Sequence, residues 1–417
     1  MKFLYVLLDG LGDTPHPKLN NQTPLEVADT PILNNLVQKG VTGLVTPVKG
    51  NFPPESDVGV FSMLGYEFGN EYVGRGVIES IGSGVNFNEG DLAFRLNFAT
   101  IDSNNYVIDR RAGRNLSDDE ANIIVNDINK NVKLTDSTCS FIMKNTEAHR
   151  GTIVFKRNNG DFSSNISNTD PAVDKFFGFG VAKKLSPGMK LPECKPLDNN
   201  VNTIISSKIV NEFCIKSSKL LFNHPVNINR RKLDKFEANC LLLRDAGTKF
   251  PNIVTINQKY NLKFSCIVDL PVEKGIAQLL NMDSFFTNNL FDYENKALKS
   301  LDLLEKYDFV YVHLKGPDEA GHDGEVLSKK KIIEDIDKRF FKTFTENNKF
   351  NDIRIIVGSD HATPCISEAH TSDPVPLLIS GKNISADNTV TFSERAVVNG
   401  KLGKLYGSEV INLALNL

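Results

Sequence analysis

Apolar residues fall along this chain in short unbroken runs that are closed by acids, glycines and histidines. Lys2-Phe-Leu-Tyr-Val-Leu-Leu8 stops at Asp9-Gly10-Leu-Gly12-Asp13. Phe309-Val-Tyr-Val-His-Leu314 stops at Lys315-Gly-Pro-Asp318-Glu-Ala-Gly-His322-Asp323, and Ile353-Arg-Ile-Ile-Val357 stops at Gly358-Ser-Asp360-His361. Runs of this length, rich in β-branched residues, predict strands buried on both faces. Alternating strand and helix signals from 200 to 417 predict a mostly parallel sheet sandwiched by helices. In open α/β sheets ligands sit beyond the carboxyl ends of the strands, which is where these runs release their acids and histidines.

Proline and glycine mark the borders of the remaining elements. Pro24 and Pro31 stand at the first turns of two short helices, where a missing amide does no harm. Val41 to Thr46 reads as a strand, and Gly82-Ser-Gly84 breaks the chain. From 84 to 183 the pattern changes to strands (Leu92 to Ile101, Tyr106 to Ile108, Ser140 to Lys144, Gly151 to Lys156) around one amphipathic helix from Ala121 to about Lys130. Ser117 with Glu120 forms the capping box that opens this helix. The expectation is therefore an α/β domain of residues 1–83 and 184–417, with a smaller α+β cap domain, 84–183, inserted into it. A helix from Val201 to Phe222 then returns the chain to the main domain. Buried strands follow at Asn239 to Arg244 and from Lys263 onward, with a helix start near Lys274 and a lysine-rich wet helix face at Lys329 to Lys331.

Composition narrows the function classes. A chain of 417 residues exceeds one core. A net charge of −3 gives no field to gather nucleic acid or anionic lipid, and no apolar run approaches a membrane span. Six scattered cysteines without a CxxC pair suit a reducing cytosol and argue against a disulfide framework or structural zinc. No repeat is visible, and a homo-oligomer stays open.

The candidate chemistry lies at the strand ends. Asp318 and His322, four residues apart, share one face if a helical turn follows Pro317, within reach of one ion. Asp360 and His361 suit an ion held by a turn, His370 follows closely, and Asp9 ends the first strand. Buried acids and imidazoles in such numbers need a compensating cation, and there are too many for a single tetrahedral one, so two metals are expected. His16, His149, His224 and His313 are set aside as metal ligands. Ser56, in a Pro-braked loop running into an apolar helix, is by default an N-cap, and beside a metal it is a candidate nucleophile. Arg110, Arg111 and Arg114 crowd around Ala-Gly, where forked guanidinium groups match phosphate and carboxylate. His149-Arg150 is a weaker instance, and Arg244 and Lys274 are secondary candidates.

Taken together, Asp9-Gly10, Ser56-Asp57 before Leu-Gly-Tyr66, Gly74-Arg75-Gly76, Arg110-Arg-Ala-Gly-Arg114, Lys315-Gly-Pro-Asp-Glu-Ala-Gly-His-Asp-Gly324, Ser359-Asp-His-Ala-Thr-Pro-Cys365 and His370-Thr-Ser-Asp-Pro-Val-Pro376 resemble the archaeal-type cofactor-independent phosphoglycerate mutases of the alkaline phosphatase superfamily. The resemblance implies an alkaline-phosphatase-like sheet and two divalent ions, Mn²⁺ first, with Co²⁺, Mg²⁺ or Zn²⁺ as alternatives. Asp318, His322 and His370 would hold one ion, and Asp9, Ser56, Asp360 and His361 the other. It implies interconversion of 3- and 2-phosphoglycerate through a phosphoserine, without 2,3-bisphosphoglycerate, with Lys315 and the arginines gripping the substrate. The cytoplasm is the expected location. A metal-dependent phosphohydrolase or phosphonate hydrolase with the same ligands, and a non-catalytic phosphometabolite-binding protein, are the alternatives. Glu55 stands where that family has glycine.

Overall fold

The run Lys2–Leu8 forms a strand whose residues after Lys2 are all buried. Side chains on both of its faces leave water, each such aliphatic or aromatic group contributing about 1.5–3 kcal/mol on burial. In this computed structural model, which describes residues 1–50, 52–67, 72–176, 179–182, 188–287, 289–348 and 352–417, that strand is central to an eight-stranded sheet. The order is Asp283–Phe285, Phe264–Ile267, Phe309–Leu314, Lys2–Leu8, Ile353–Gly358, Val375–Gly381, Gly40–Thr46, Gly403–Tyr406. Val375–Gly381 alone runs against its neighbours, so the sheet is mostly parallel as expected. One core gathers Leu4, Val6, Leu8, Val310, Val312, Leu314, Ile355 and Val357 against Leu301, Ile333, Phe340 and Phe344 of the flanking helices.

The chain divides into two units. One comprises residues 1–69, 253–269 and 277–417 and holds this sheet; the other comprises 70–252 and 270–276. In the second unit Leu92–Ile101 pairs antiparallel with Arg150–Arg157 on one side and with Cys240–Gly247 on the other. Leu92, Phe94, Leu96 and Phe98 pack with Phe155, Phe213 and Ile124 in its own core. The helix Asp118–Asn131 opens on the Ser117–Glu120 capping box, as the sequence predicts.

Two expectations are corrected here. The helix Val201–Phe222 and the strand Cys240–Gly247 do not return the chain to the main sheet. Both complete the second unit, as does the helix Arg75–Gly82. Cys240–Gly247 is an apolar run because both faces of its antiparallel sheet are covered, and such a run reads like a buried parallel strand. The expected border at 183/184 lies outside the described residues. Lys329, expected on a wet face, is fully buried, with its Nζ 2.9 Å from Asp13 Oδ2 and donating to the carbonyls of Gly12 and Thr363.

Candidate active site

Three neighbouring strands end together. The parallel register sets Leu7 beside His313 on one side and Gly358 on the other. The residues that follow, Asp9, Lys315 to His322, and Asp360 with His361, therefore emerge along one edge. Gly316, with φ of 127°, turns the chain into the helix Pro317–His322, which presents Asp318 and His322 one turn apart. Gly10 has φ of 59°, and a Cβ there would stand 2.7 Å from Asp318 Oδ1, so only glycine lets that carboxylate come so close.

Asp318, His322 and His370 form the first cluster. His322 Nε2 and His370 Nε2 are 3.1 Å apart, and they lie 3.6 and 3.3 Å from Asp318 Oδ1. His322 Nδ1 donates to the Glu368 carbonyl and His370 Nδ1 to that of Pro54, which directs both Nε2 atoms inward. Atoms bound about 2.0–2.2 Å from a tetrahedral ion stand roughly 3.3–3.6 Å from one another, so this spacing fits a cation. Without one, a proton takes its place. Burial counts against a charged His370, but Asp318 outweighs it and raises the imidazole to about 9.

Asp9, Asp360 and His361 form the second cluster. Thr363 Oγ1 donates to Asp318 Oδ1 at 2.6 Å and so accepts from His361 Nδ1 at 3.0 Å. His361 Nε2 then faces Asp9 Oδ1 at 3.5 Å and Asp360 Oδ2 at 3.4 Å. His361 Nδ1 is also 3.9 Å from Asp318 Oδ1, but Thr363 already engages that nitrogen, so His361 belongs with Asp9 and Asp360. Asp9 Oδ1 and Asp360 Oδ2 are buried and accept no hydrogen bond. Two such oxygens converging in the interior are the signature of a cation's place. Burial favours the neutral acid at both positions. At Asp9, Lys315, His313 and His361 overcome it and hold the carboxyl well below the usual range. At Asp360, burial and the charge of Asp9 prevail, lifting it to about 7. Three imidazoles and three carboxylates with these geometries fit divalent ions. His313, set aside at the sequence level, lies among them, with Nε2 3.7 Å from Asp9 Oδ1 and 3.6 Å from Asp360 Oδ2.

Ser56 is the first residue of the helix Ser56–Met63, and the cap is Glu55. The default expectation that Ser56 caps the helix is thus corrected, and its Oγ lies instead 3.3 Å from His361 Nε2. Gly59 permits this approach, because a Cβ there would be 2.4 Å from the carbonyl oxygen of Asp360. Glu55 is half-buried, and its charge adds to that of Asp318 at His370. Lys315 is buried, with Nζ 2.8 Å from Asp9 Oδ2.

The second unit holds the arginines. Arg110 makes a two-pronged bond to the buried Asp170, Nε to Oδ1 at 2.9 Å and Nη2 to Oδ2 at 2.5 Å. Arg244 donates to the same carboxylate at 3.2 Å and to Asn97 Oδ1 at 3.1 Å. Burial first, then Arg150, Arg244, Arg114 and Arg95, press the His149 imidazole down to about 3, so it stays neutral in a cationic neighbourhood. Arg150 is exposed and paired with Glu147 at 2.9 Å. Arg111 gives its backbone amide to Asp109 Oδ1, and Lys274 lies in the helix Pro271–Leu279. Arg95, near Glu79 and Asp245, joins this cluster, and it was missed because a single arginine within an apolar strand carries no signal. Arg230, fully buried, was missed as well. It braces the Ala112 to Asn115 loop by donating to the carbonyls of Ala112 and Asn115.

Fold and site define a class: an α/β protein whose parallel strands end in paired carboxylate and imidazole clusters, beside a serine at a helix start. Residues 37–227 match the family described as 2,3-bisphosphoglycerate-independent phosphoglycerate mutase. The curated protein of that name from Aeropyrum pernix is 37% identical over 98% of this chain and 97% of its own length, and that from Pyrococcus furiosus is 35% identical over 100% and 97%. The cofactor-independent phosphoglycerate mutase structure from Thermoplasma acidophilum aligns with a TM-score of 0.64 at 30% identity, over 100% of this chain and 99% of that one. A Pyrococcus horikoshii protein structure aligns at 0.79 and 29%, over 100% and 96%. The chain belongs to the 2,3-bisphosphoglycerate-independent phosphoglycerate mutase family.

Proposed function

We propose that this protein interconverts 3-phosphoglycerate and 2-phosphoglycerate through a phosphoserine at Ser56. The observation that carries the reading is the Ser56 hydroxyl, 3.3 Å from His361 Nε2 and beside the oxygens of Asp9 and Asp360 that accept no hydrogen bond, in a chain of this family. Asp318, His322 and His370 hold one divalent cation; Asp9, Ser56, Asp360 and His361 hold the other. Such cations, Mn²⁺ foremost, would lower the pKa of the serine hydroxyl and offset charge on the attacking and leaving oxygens.

Ser56 Oγ forms a bond to phosphorus as the bond to the 3-oxygen of glycerate breaks. The 2-hydroxyl of the retained glycerate then attacks phosphorus, and Ser56 leaves with a proton restored to Oγ. The start of the helix Ser56–Met63 favours negative charge at Oγ throughout. Lys315, anchored by Asp9, has further N–H donors for a phosphate oxygen. Arg110, Arg111, Arg114, Arg150, Arg244 and Lys274, with neutral His149, grip the carboxylate and hydroxyls. Arg110 and Arg244 are oriented for this by Asp170. A cytosolic location accords with this reading and with six cysteines none of which pairs with another. Among the described residues no helix is long and apolar enough to cross a membrane.

Phosphorus NMR of the Mn²⁺-loaded protein with 3-phosphoglycerate, and no 2,3-bisphosphoglycerate, tests the proposal. The 2-phosphoglycerate signal should grow to equilibrium with little free phosphate. Free phosphate as the main product would identify a hydrolase instead.

A further inference from the structure

We infer that His313 is a ligand of the cation held by Asp9 and Asp360, giving that ion an imidazole on the side away from Ser56's helix start in the sequence order of the site: a fifth protein ligand, delivered from inside a strand. The inference rests on the two-cation reading above and extends it.

His313 interrupts the apolar strand Phe309–Leu314 and is fully buried. Burying an imidazole in such a run is unfavourable unless the site uses it. Its Nε2 stands 3.6 Å from Asp360 Oδ2 and 3.7 Å from Asp9 Oδ1. A charge-assisted hydrogen bond from an imidazolium would be about 2.7–2.9 Å, so these separations are not a closed ion pair. Neither carboxylate oxygen accepts a hydrogen bond, so His313 does not satisfy them directly. The same spacing runs through the rest of the cluster. Ser56 Oγ, Asp9 Oδ1 and Asp360 Oδ2 lie 3.3, 3.5 and 3.4 Å from His361 Nε2. All five separations match or slightly exceed the roughly 3.3–3.6 Å expected between ligand atoms sharing one ion, and Asp9, His313 and Asp360 by themselves offer three atoms within 4.8 Å of one another. The register that sets His313 beside Leu7, two residues before Asp9, fixes this placement in the sheet itself.

Two imidazoles in this shell make it a nitrogen-rich site. It should favour Co²⁺, Mn²⁺ or Zn²⁺ over Mg²⁺, which prefers oxygen and its own water.

Two measurements test the assignment. In crystals of the full chain grown with Co²⁺, an anomalous map should place an ion about 2.0–2.3 Å from His313 Nε2. An ion between Asp9 and Asp360 but more than 3 Å from that nitrogen would overturn the assignment while leaving the mutase reading intact; failure to bind any second ion would overturn both. In solution, Co²⁺ titration of the metal-free protein should show two sites. In His313→Asn the Asp318 site should bind as before, which also reports a preserved fold, and the other should weaken about tenfold or more. Its preference for Co²⁺ over Mg²⁺ should fall as well. Wild-type affinity and selectivity at both sites of the variant would contradict the inference. Should His313→Asn fail to fold, the wild-type Co²⁺ map decides alone.

Discussion

Ser56 and Ser62 lie on the same short helix, yet only one is placed for chemistry. Ser62 Oγ is buried and donates to the Pro47 carbonyl at 2.5 Å, whereas Ser56 Oγ faces His361. Ser56→Ala should therefore lower isomerisation by several orders of magnitude and change stability by no more than about 0.5 kcal/mol, since Ser56 is not the cap. Mass spectrometry of enzyme quenched during turnover should find the phosphoryl group on Ser56; finding it on Ser62 would refute the assignment. Gly59 is the other sensitive position. A methyl group there meets backbone rather than a yielding side chain, so Gly59→Ala should cost about 1–3 kcal/mol in thermal unfolding and weaken the Asp9–Asp360 cation site. Asp9, Asp318, Asp360, His361 and His370 were legible in the sequence because each follows an apolar run. His313 was not, because it sits within one and looks like a tolerated core residue.

At the level of elements, the strands were legible and one sheet assignment was not. A run buried on both faces reads the same in a parallel sheet and in an antiparallel sheet covered on both sides, so Cys240–Gly247 was placed with the wrong partners. The Arg110 to Arg114 segment was recognised as functional from its crowding, but its dependence on Asp170 is set by residues 60 to 74 positions apart, which no local pattern encodes. Burial disfavours the Asp170 carboxylate, but Arg244 and Arg110 outweigh it and depress its pKa. A depressed acid adds stability above its unfolded value of about 3.9 and loses it as pH falls through the lower folded value. Asp170→Asn should accordingly destabilise the second unit by about 3–5 kcal/mol near neutral pH, because two buried guanidinium groups lose their partner. The gap from wild type should narrow on acidification below pH 4, as followed by denaturant unfolding. A variant as stable as the parent at pH 7 would show that Asp170 does not organise the arginines.

At the scale of the whole molecule, the division of labour between units was legible in outline. Cation ligands fall in one unit and the arginine cluster in the other, although the second unit is larger than the 84–183 segment expected. If the arginines hold glycerate while the phosphoryl group rests on Ser56, Arg114→Ala should lower kcat/KM roughly ten- to a hundredfold. It should also release more free phosphate per isomer formed, with metal content unchanged. An unaltered product ratio and kcat/KM would make Arg114 a solvated surface residue. The central claim is that the phosphoryl group passes from the 3-oxygen to Ser56 to the 2-oxygen without meeting water. Its most direct test is to run the Mn²⁺-loaded enzyme on 3-phosphoglycerate in ¹⁸O-labelled water and weigh the products. The expected result is 2-phosphoglycerate with no ¹⁸O in its phosphoryl group, together with a trapped, unlabelled phosphoserine at Ser56; ¹⁸O in that phosphoryl group, or labelled inorganic phosphate as the main product, would contradict it.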